Sequence, residues 1–428
     1  MEKFEAIIVG AGLAGLAAAY TLAREGVEVL LLEKGDYPGA KNVSGGRLYV
    51  NPVRELFPEL WGKAPWERFI AREGVSIMAG ERSLKVEYCG DELSREPYQS
   101  YSVLRAKFDR WLAKQAEGQG AMLVSKSRVD DVIIADGQVV GVWAGGDELR
   151  ADAVIACDGA MSLLAEKAGL RNPGNPRDYA VGFKEEIELD SALIEERFGL
   201  EGKEGAARLF MGEVTRGKFG GGFLYTNKDS LSLGIVVAIK DLMEGSPAVQ
   251  APVLLDEFKQ RPEMARLIKG GESVEYSAHA IPEGGFKALS RLYGNGILVA
   301  GDAAGLAMNI GITVRGMEYA LASGYYAAQT VLQAQKKEDF TAASLSGYEK
   351  MLNNSFVLKD FMAFQEAPAV LDTPRFFKHY PELVGNMMKD IYEVPAGPKD
   401  RLYPTIKKYL PLKEMWAMAG DMRKVMKI

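Results

Sequence analysis

The first stretch whose residue types and spacing could do chemistry is residues 10–15, which read GAGLAG and match the pattern GxGxxG. It follows a short apolar run at residues 7–9 and opens an Ala-rich helical pattern, and Glu33 ends the next predicted strand. In such a unit Gly10 makes the turn, Gly12 admits a pyrophosphate, and Gly15 packs helix on strand. The carboxylate accepts hydrogen bonds from ribose hydroxyls. The pattern therefore favours a dinucleotide site over a chance glycine turn.

Two later loops also follow predicted buried strands and place an aspartate beside a glycine. Residues 301–305 read GDAAG, and Asp302 could accept hydrogen bonds from ribityl hydroxyls. The alternative is an aspartate that only caps the next helix. Asp158 and Gly159 follow another predicted strand and form the third candidate cofactor-binding loop. The alternative is a plain Asp-Gly turn with no ligand.

In this order the three loops resemble the FAD-binding fold of the glutathione-reductase and hydroxybenzoate-hydroxylase type. The resemblance implies one Rossmann-type FAD site. No second GxGxxG follows a predicted strand, so the sequence indicates no separate nicotinamide domain.

The elements that must position these loops predict an α/β fold. Residues 7–33 form a βαβ pattern, and short alternating runs at 121–125, 129–134 and 138–142 suggest a small antiparallel sheet. Between residues 179 and 282, strand patterns alternate with amphipathic helices, which indicates an inserted mixed-sheet substrate domain. A mostly helical C-terminal region follows. We expect a discontinuous FAD-binding domain at residues 1–75, 101–178 and 291–335. The substrate domain is expected at residues 76–100 and 179–290. The C-terminal region is expected at residues 336–428.

Composition excludes several classes of function. The chain has 428 residues and a net charge of -6, so nothing in its charge favours nucleic acid as a partner. Two cysteines and two histidines cannot supply a four-cysteine iron–sulfur cluster or a polyhistidine site, so no metal site is predicted. No run has the roughly 20 apolar residues of a membrane-spanning helix. The sequence therefore predicts a cytoplasmic protein that could lie on a membrane surface.

Longer segments between the loops are more specific. They include residues 38–47 (PGAKNVSGGR), 220–225 (GGGFLY), 280–285 (AIPEGG) and 305–324 (GLAMNIGITVRGMEYALASG). These segments resemble the FixC proteins, relatives of electron-transfer flavoprotein–quinone oxidoreductase. The resemblance extends over nearly the whole chain.

The resemblance implies which residues meet each ligand, and it implies no catalytic side chain because the flavin itself carries the redox chemistry. The implied FAD-binding residues are Gly10, Gly12, Ala14, Gly15, Glu33, Lys34, Ser44, Gly45, Arg105, Asp158, Gly159, Gly301, Asp302, Gly311, Ile312 and Thr313. The backbone of Gly220 and Gly221 is implied to meet a quinone carbonyl, in an apolar slot formed by Phe223, Leu224 and Tyr225. The alternative for this segment is a Gly-rich β-bulge with core aromatics.

The resemblance also implies partners. They are a two-subunit electron-transfer flavoprotein, a small ferredoxin-like iron–sulfur subunit and a membrane quinone, in a complex of the FixABCX type. Whether that complex bifurcates electrons is not implied by the sequence. The implied location is peripheral, on the inner face of the cell membrane. Residues 399–428 carry eight Lys/Arg against three Asp/Glu, with methionines at helical spacing. This segment could meet anionic lipid or a partner subunit, or it could be a core-facing helix with a solvated basic side.

Three rival interpretations remain at this stage. A geranylgeranyl-type isoprenoid reductase shares the flavin fold, and a non-catalytic FAD-binding subunit is the rival from another class. A flavin hydroxylase is disfavoured, because the long segments do not match and no nicotinamide site is evident. His279 beside the AIPEGG segment could donate a proton near a quinone, or it could be a hydrogen-bonded structural residue.

Overall fold

The computed structural model describes residues 3–42, 45–244 and 250–428. Its first sheet has a parallel core, and the central strands are continuously buried at residues 6–9, 29–32, 153–156 and 297–299, as expected for a sheet covered on both faces. From edge to edge the strands are Tyr293–Gly294, Ile297–Val299, Asp147–Ala156, Lys3–Val9, Val29–Leu32 and Met122–Val124. An antiparallel hairpin of Val129–Ala135 and Gln138–Ala144 continues from Asp147–Ala156.

One strand differs from the sequence prediction. Residues 121–125 were expected in the small antiparallel sheet, but Met122–Val124 pairs in parallel with Val29–Leu32. The helix Arg105–Gly118 immediately precedes this strand and returns the chain to the parallel sheet. A three-residue apolar run carries no signal of its pairing partner, so the sequence could not reveal this connection.

The second sheet is mixed and packs one face on its own hydrophobic core. In order, its strands are Glu272–Pro282, Tyr179–Glu188, Ser230–Ala238, Gly220–Thr226, Glu204–Gly212, Phe69–Ala79, Ser100–Val103 and Gly46–Tyr49, with Arg82–Cys89 added beside Phe69–Ala79. The helices Ser191–Phe198, Ala251–Gln260 and Pro262–Leu267 supply the apolar side chains of that core.

The allocation of the early chain differs from the expected boundaries. Residues 1–75 were assigned to the FAD-binding domain, yet Gly46–Tyr49 and Phe69–Ala79 belong to the second sheet. Ser100–Val103 also joins that sheet, so the chain crosses from the first sheet to the second before residue 46 and returns after residue 103.

Helices cover the first sheet and form the C-terminal region. Leu13–Arg24 and Met317–Gln335 pack against each other, and Gly324 allows this contact because a Cβ there would collide with the carbonyl oxygen of Ala14. The remaining helices are Leu163–Lys167, Ile239–Glu244, Ala342–Leu345, Gly347–Asn354, Phe356–Ala363, Ala367–Leu371, Pro374–Phe377, His379–Tyr392, Leu402–Tyr409 and Leu412–Val425. Within the described ranges, none of the helices has the length and apolarity needed to span a membrane.

Candidate functional site

The glycine loop at residues 10–15 has three glycines with three different surroundings. Gly10 has a φ of +101°, and a Cβ on it would collide with the carbonyl oxygen of Cys157. A Cβ on Gly15 would collide with the carbonyl oxygen of Gly10, so Gly15 lets the first helix pack closely. A Cβ on Gly12 would have no neighbour within 4 Å. Gly12 therefore faces open space at the N-terminus of the helix Leu13–Arg24, where backbone N–H groups can hold an anion.

Glu33 lies beside this loop and is almost completely buried. One carboxylate oxygen accepts a hydrogen bond from the backbone amide of Ala11 at 2.8 Å, and the other accepts one from Gly35 at 2.6 Å. These bonds hold the carboxylate at the end of the strand Val29–Leu32. Each oxygen retains a lone pair, so Glu33 can also accept bonds from ribose hydroxyls.

The 301–305 loop brings a second carboxyl group to the site. The amide of Gly301 donates to the hydroxyl of Ser323 at 2.9 Å, which fixes the loop on the helix Met317–Gln335. The next helix, Met317–Gln335, has Gly316 at its N-cap, so Asp302 does not cap that helix. Burial raises the pKa of Asp302, while His279 and Arg105 oppose this rise.

Asp158, by contrast, serves the local backbone. Its carboxylate accepts hydrogen bonds from the Leu164 amide and the Ser162 hydroxyl, each at 3.1 Å. Gly159 follows with a φ of +85°. The Asp-Gly pair thus turns the chain and caps a short helix, and it also lines the cavity described next.

One cavity of about 1100 Å³ joins these loops to the second sheet. The implied FAD-binding residues that line it are Gly10, Gly12, Ala14, Glu33, Lys34, Gly45, Arg105, Asp158, Gly159, Gly301, Asp302, Gly311 and Ile312. Gly15 and Thr313 do not line it. Gly15 packs behind the loop, and the carbonyl oxygen of Thr313 accepts a bond from Ile310 at 3.1 Å to close the turn. Ser44 lies outside the described residues.

Arg105 is held in the cavity wall by a two-pronged ion pair. Its Nε and one terminal nitrogen donate to the two carboxylate oxygens of Asp109 at 2.8 and 2.9 Å. The Asn42 side chain donates to the same carboxylate at 2.7 Å. This arrangement fixes the guanidinium at the start of the helix Arg105–Gly118.

The second sheet forms the opposite wall. His279, Gly182, Val236 and Gly221 lie side by side on four adjacent strands, and all four line the cavity. Gly182 and Gly221 have no side chains, so in this row only His279 and Val236 present side chains. Of the four residues, only Gly221 and His279 were predicted from the sequence.

The implied quinone residues divide between the two faces of their strand. Phe223 and Tyr225 line the cavity with ring centroids 5.4 Å apart, and Gly220 and Gly221 line it too. Leu224 does not: it is 0% exposed and packs in the core on the other face, so its assignment to the slot was wrong. Successive strand residues point to opposite faces, and the FLY segment was treated as one surface.

The two glycines of this strand also have a structural role. A Cβ on Gly220 would collide with the carbonyl oxygen of Val236, and one on Gly221 would collide with that of Phe210. Close backbone packing by itself therefore requires glycine here, although the pairing with Ser230–Ala238 is continuous and contains no β-bulge.

Sequence reasoning missed several polar residues of the cavity wall. Lys184 lines the cavity although its side chain is 1% exposed. Glu283 lines it as well. Burial raises the pKa of Glu283 to about 7, although a hydrogen bond with Asn309 acts to lower it. For Lys184 the available signal was alternation, because it lies two residues from Gly182 on a strand that faces the cavity. Glu283 directly follows the strand Glu272–Pro282, four residues after His279.

The third wall is apolar and comes from the C-terminal helices. Phe377 meets Phe219 edge to face at 5.4 Å, and Leu371, Val425 and Ile428 also line the cavity. The cavity thus extends from the glycine loops to the C-terminal region.

The last helix, Leu412–Val425, presents apolar side chains to solvent. Leu412 and Trp416 are each 75% exposed, and Met415, Met422 and Met426 are exposed as well. Its acidic residues face the protein, where Glu414 and Asp421 pair with Arg375. The helix is therefore not core-facing on its methionine side.

Comparisons with known proteins agree with this geometry. Residues 3–192 match the FAD binding domain family, and residues 367–428 match the ETF-QO/FixC family C-terminal domain. The protein FixC of Escherichia coli strain K12 is 48% identical over 396 residues, covering 92% of each chain. The probable electron transfer flavoprotein-quinone oxidoreductase YdiS of the same strain is 42% identical over 397 residues, covering 93% of this chain and 92% of that protein.

A solved structure shares the fold at lower identity. The geranylgeranyl bacteriochlorophyll reductase-like protein of Thermoplasma acidophilum aligns with a TM-score of 0.72 at 21% identity, covering 98% of this chain and 100% of that one. The expected fold class and FAD as the cofactor are thereby confirmed. The chain belongs to the FixC family, related to electron-transfer flavoprotein–quinone oxidoreductases, and it is an FAD-dependent oxidoreductase.

Proposed function

We propose that this chain passes electrons from a two-subunit electron-transfer flavoprotein, through a ferredoxin-like subunit, to a membrane quinone. The observation that carries the proposal is the shape of the cavity, which joins the glycine loops to an apolar wall of C-terminal helices. The similarity to YdiS, a probable electron transfer flavoprotein-quinone oxidoreductase, supports the same activity.

The FAD would lie along the loops that line the cavity, with FAD supplying one- and two-electron chemistry. Gly12 and the helix N-terminus would hold the pyrophosphate, because this space is free of side chains and rich in N–H donors. Glu33 would accept bonds from ribose hydroxyls, and Asp302 from ribityl hydroxyls. Arg105 would supply a fixed positive charge beside them.

The quinone would enter between the sheet and the C-terminal helices. A neutral ring needs flat apolar contacts and a hydrogen-bond donor. Phe223, Tyr225 and Phe377 offer the contacts, and the backbone of Gly220 and Gly221 lines the same cavity.

The two cysteines support the proposal of a separate iron–sulfur subunit. Cys89 is exposed and Cys157 is buried behind the glycine loop, so two cysteines in different surroundings would have to hold a cluster that needs about four ligands. An electron relay to this FAD would therefore belong to another chain.

The membrane surface would meet the last helix. Its exposed Leu412, Trp416 and Met422 can enter the lipid interface, and nearby Lys413, Arg423 and Lys427 can approach anionic headgroups. The protein would then lie peripherally on the cytoplasmic face of the cell membrane, with the quinone opening close to lipid.

The proposal is tested by purifying the chain alone and in its native complex. We expect flavin without iron in the isolated chain, and flavin with iron in a complex that forms quinol when its electron-transfer flavoprotein is reduced. Iron bound stoichiometrically by the isolated chain would contradict the proposed relay. Saturation of an isoprenoid double bond without quinol formation would instead favour the reductase alternative, whose fold this chain shares.

A further inference from the structure

Lys184 and Glu186 form an ion pair inside the cavity wall that the proposed electron path does not use. The Lys184 Nζ lies 3.2 Å from a carboxylate oxygen of Glu186, and the side chains are only 1% and 6% exposed. Both residues lie on one face of the strand Tyr179–Glu188, two positions apart. Two charges removed from water in this way are costly unless each is held by further partners.

The lysine end of the pair faces the cavity. Lys184 lines it, and its Nζ donates a hydrogen bond to the carbonyl oxygen of Gly45 at 3.1 Å. A Cβ on Gly45 would collide with this Nζ, so the ammonium lies directly beneath that backbone. Gly45 itself lines the cavity, so the positive charge lies against the backbone that borders the space the flavin would occupy.

The glutamate end is anchored away from the cavity. The Glu186 carboxylate accepts hydrogen bonds from Asn227 and Ser232, each at 2.7 Å, and from Ser230. Glu186 is not among the residues that line the cavity. The pair therefore has a fixed direction, with its positive end towards the cavity and its negative end in the sheet.

Glu275 and Arg105 also influence Lys184 electrostatically. Burial lowers its pKa, and Glu186 and Glu275 oppose this effect while Arg105 adds to it. Lys184 and Arg105 thus bring positive charge to the cavity from two walls.

We propose that the Lys184–Glu186 pair sets the reduction potential of the bound FAD, raising it by directing positive charge at the flavin. Reduction adds negative charge to the flavin ring system, and a nearby fixed cation stabilises that charge. The low dielectric of the buried pair strengthens the effect, since water does not screen it.

The two partners have opposite charges, so their substitutions should shift the potential in opposite directions. Potentials are measured by dye-equilibrated spectroscopic titration of the FAD-loaded chain. Lys184→Met should lower the potential, by about 30 mV for each tenfold loss of preference for the reduced flavin in a two-electron couple. Glu186→Gln should raise it, and the double variant Lys184→Met/Glu186→Gln should fall between the two.

A control lies on the same strand. Glu185 points to the opposite face and pairs with Lys259 at 2.7 Å, so Glu185→Gln removes a carboxylate without changing charge at the cavity. It should leave the potential unchanged. Lys184→Arg keeps the positive charge and should retain a potential close to that of the unsubstituted protein. It provides a second variant should Lys184→Met prove poorly folded.

Shifts of the same sign for Lys184→Met and Glu186→Gln, or no shift in either folded variant, would overturn the proposal and leave the pair a structural one. The titration uses neither quinone nor partner subunits. Failure here is therefore distinguishable from failure of the proposed quinone reduction, which would appear as lost quinol formation at unchanged potentials.

Discussion

The carboxylate of Glu33 accepts a hydrogen bond from the backbone amide of Ala11 at 2.8 Å, across 22 positions of sequence. This bond joins the end of the second parallel strand to the loop that opens the first helix. A residue expected to recognise a ribose therefore also shapes the loop that receives the pyrophosphate.

Glu33→Gln should weaken both roles. A glutamine side chain has one acceptor oxygen, so it can serve only one of the amides of Ala11 and Gly35. A lost bond to a buried amide costs about 1–3 kcal/mol. We expect a lower unfolding temperature of the apoprotein and a higher dissociation constant for FAD, measured by thermal unfolding and by flavin fluorescence. Unchanged FAD affinity would contradict the ribose role.

Gly12→Val should separate cofactor binding from folding. Gly12 has an extended backbone with a φ of -82°, and a side chain there enters open space, so valine is tolerated by the fold. The same side chain would occupy the space assigned to the pyrophosphate. We expect a folded, colourless protein by circular dichroism and flavin absorbance.

Gly15→Ala is the matched comparison for Gly12→Val. Its Cβ would meet the carbonyl oxygen of Gly10, so even this smaller change should destabilise the fold. A Gly12→Val protein that retains its flavin spectrum would mean that the cofactor does not lie on this loop.

Much of the nucleotide-binding fold could be predicted because its signals are local. The GxGxxG loop, the helix Arg105–Gly118 and the acidic end of the second strand each follow from residues close in sequence. The sequence could not predict that Met122–Val124 pairs in the parallel sheet. It also could not predict that the strands between residues 46 and 103 belong to the second sheet, because pairing partners are set by long-range packing.

The candidate site shows the same division. The glycine loops were found from sequence, whereas Lys184 was missed because a lysine in a strand is usually solvent-exposed. Leu224 was wrongly assigned to the quinone slot, because the apolar residues 223–225 give no indication of which face of the strand is buried. Only the pairing of Gly220–Thr226 with Ser230–Ala238 settles that Phe223 and Tyr225 share the cavity face.

Phe223→Ala should reduce quinone binding while sparing the cofactor. Phe223 contributes to the cavity and lies against Gly234, where a Cβ would be 2.5 Å from its ring. We expect a raised KM for quinone, with artificial-dye reduction and FAD content kept. Leu224→Ala is the control on the opposite face, where loss of core packing should cost about 2–5 kcal/mol of stability without changing the KM. Equal effects of both variants on the KM would contradict the slot.

Lys407→Gln with Arg423→Gln should weaken binding to anionic vesicles. Both residues are exposed, and each charge near anionic lipid contributes about 1 kcal/mol, so the pair should change binding by about 30-fold. Lys408 and Lys424 are poorer choices, because they already pair with Asp390 and Asp421. The control is Lys203→Gln with Lys269→Gln, exposed lysines of the second domain. A comparable loss of vesicle binding in that control would mean that the effect comes from net charge and not from the C-terminal residues.

Glu283 should make stability depend on pH. Burial raises its pKa in the folded protein from 4.5 to about 7, so the folded state keeps a proton that the unfolded chain has released. The associated stability is present below about pH 4.5 and is lost as pH rises through about 7. Glu283→Gln lacks this loss, so it should gain on the order of 1–3 kcal/mol relative to the unsubstituted protein between those limits. Denaturant unfolding across this range measures it, and a constant difference would contradict the pKa.

The most direct test of the central claim is anaerobic mixing of the reduced, FAD-loaded chain with a short-chain ubiquinone or menaquinone analogue. Flavin absorbance reports reoxidation, and the quinol formed is quantified. The account predicts rapid reoxidation by at least one analogue, one quinol per FAD, and slower reoxidation in Phe223→Ala at subsaturating quinone. A reduced flavin that is reoxidised by artificial dyes but by neither quinone would contradict it.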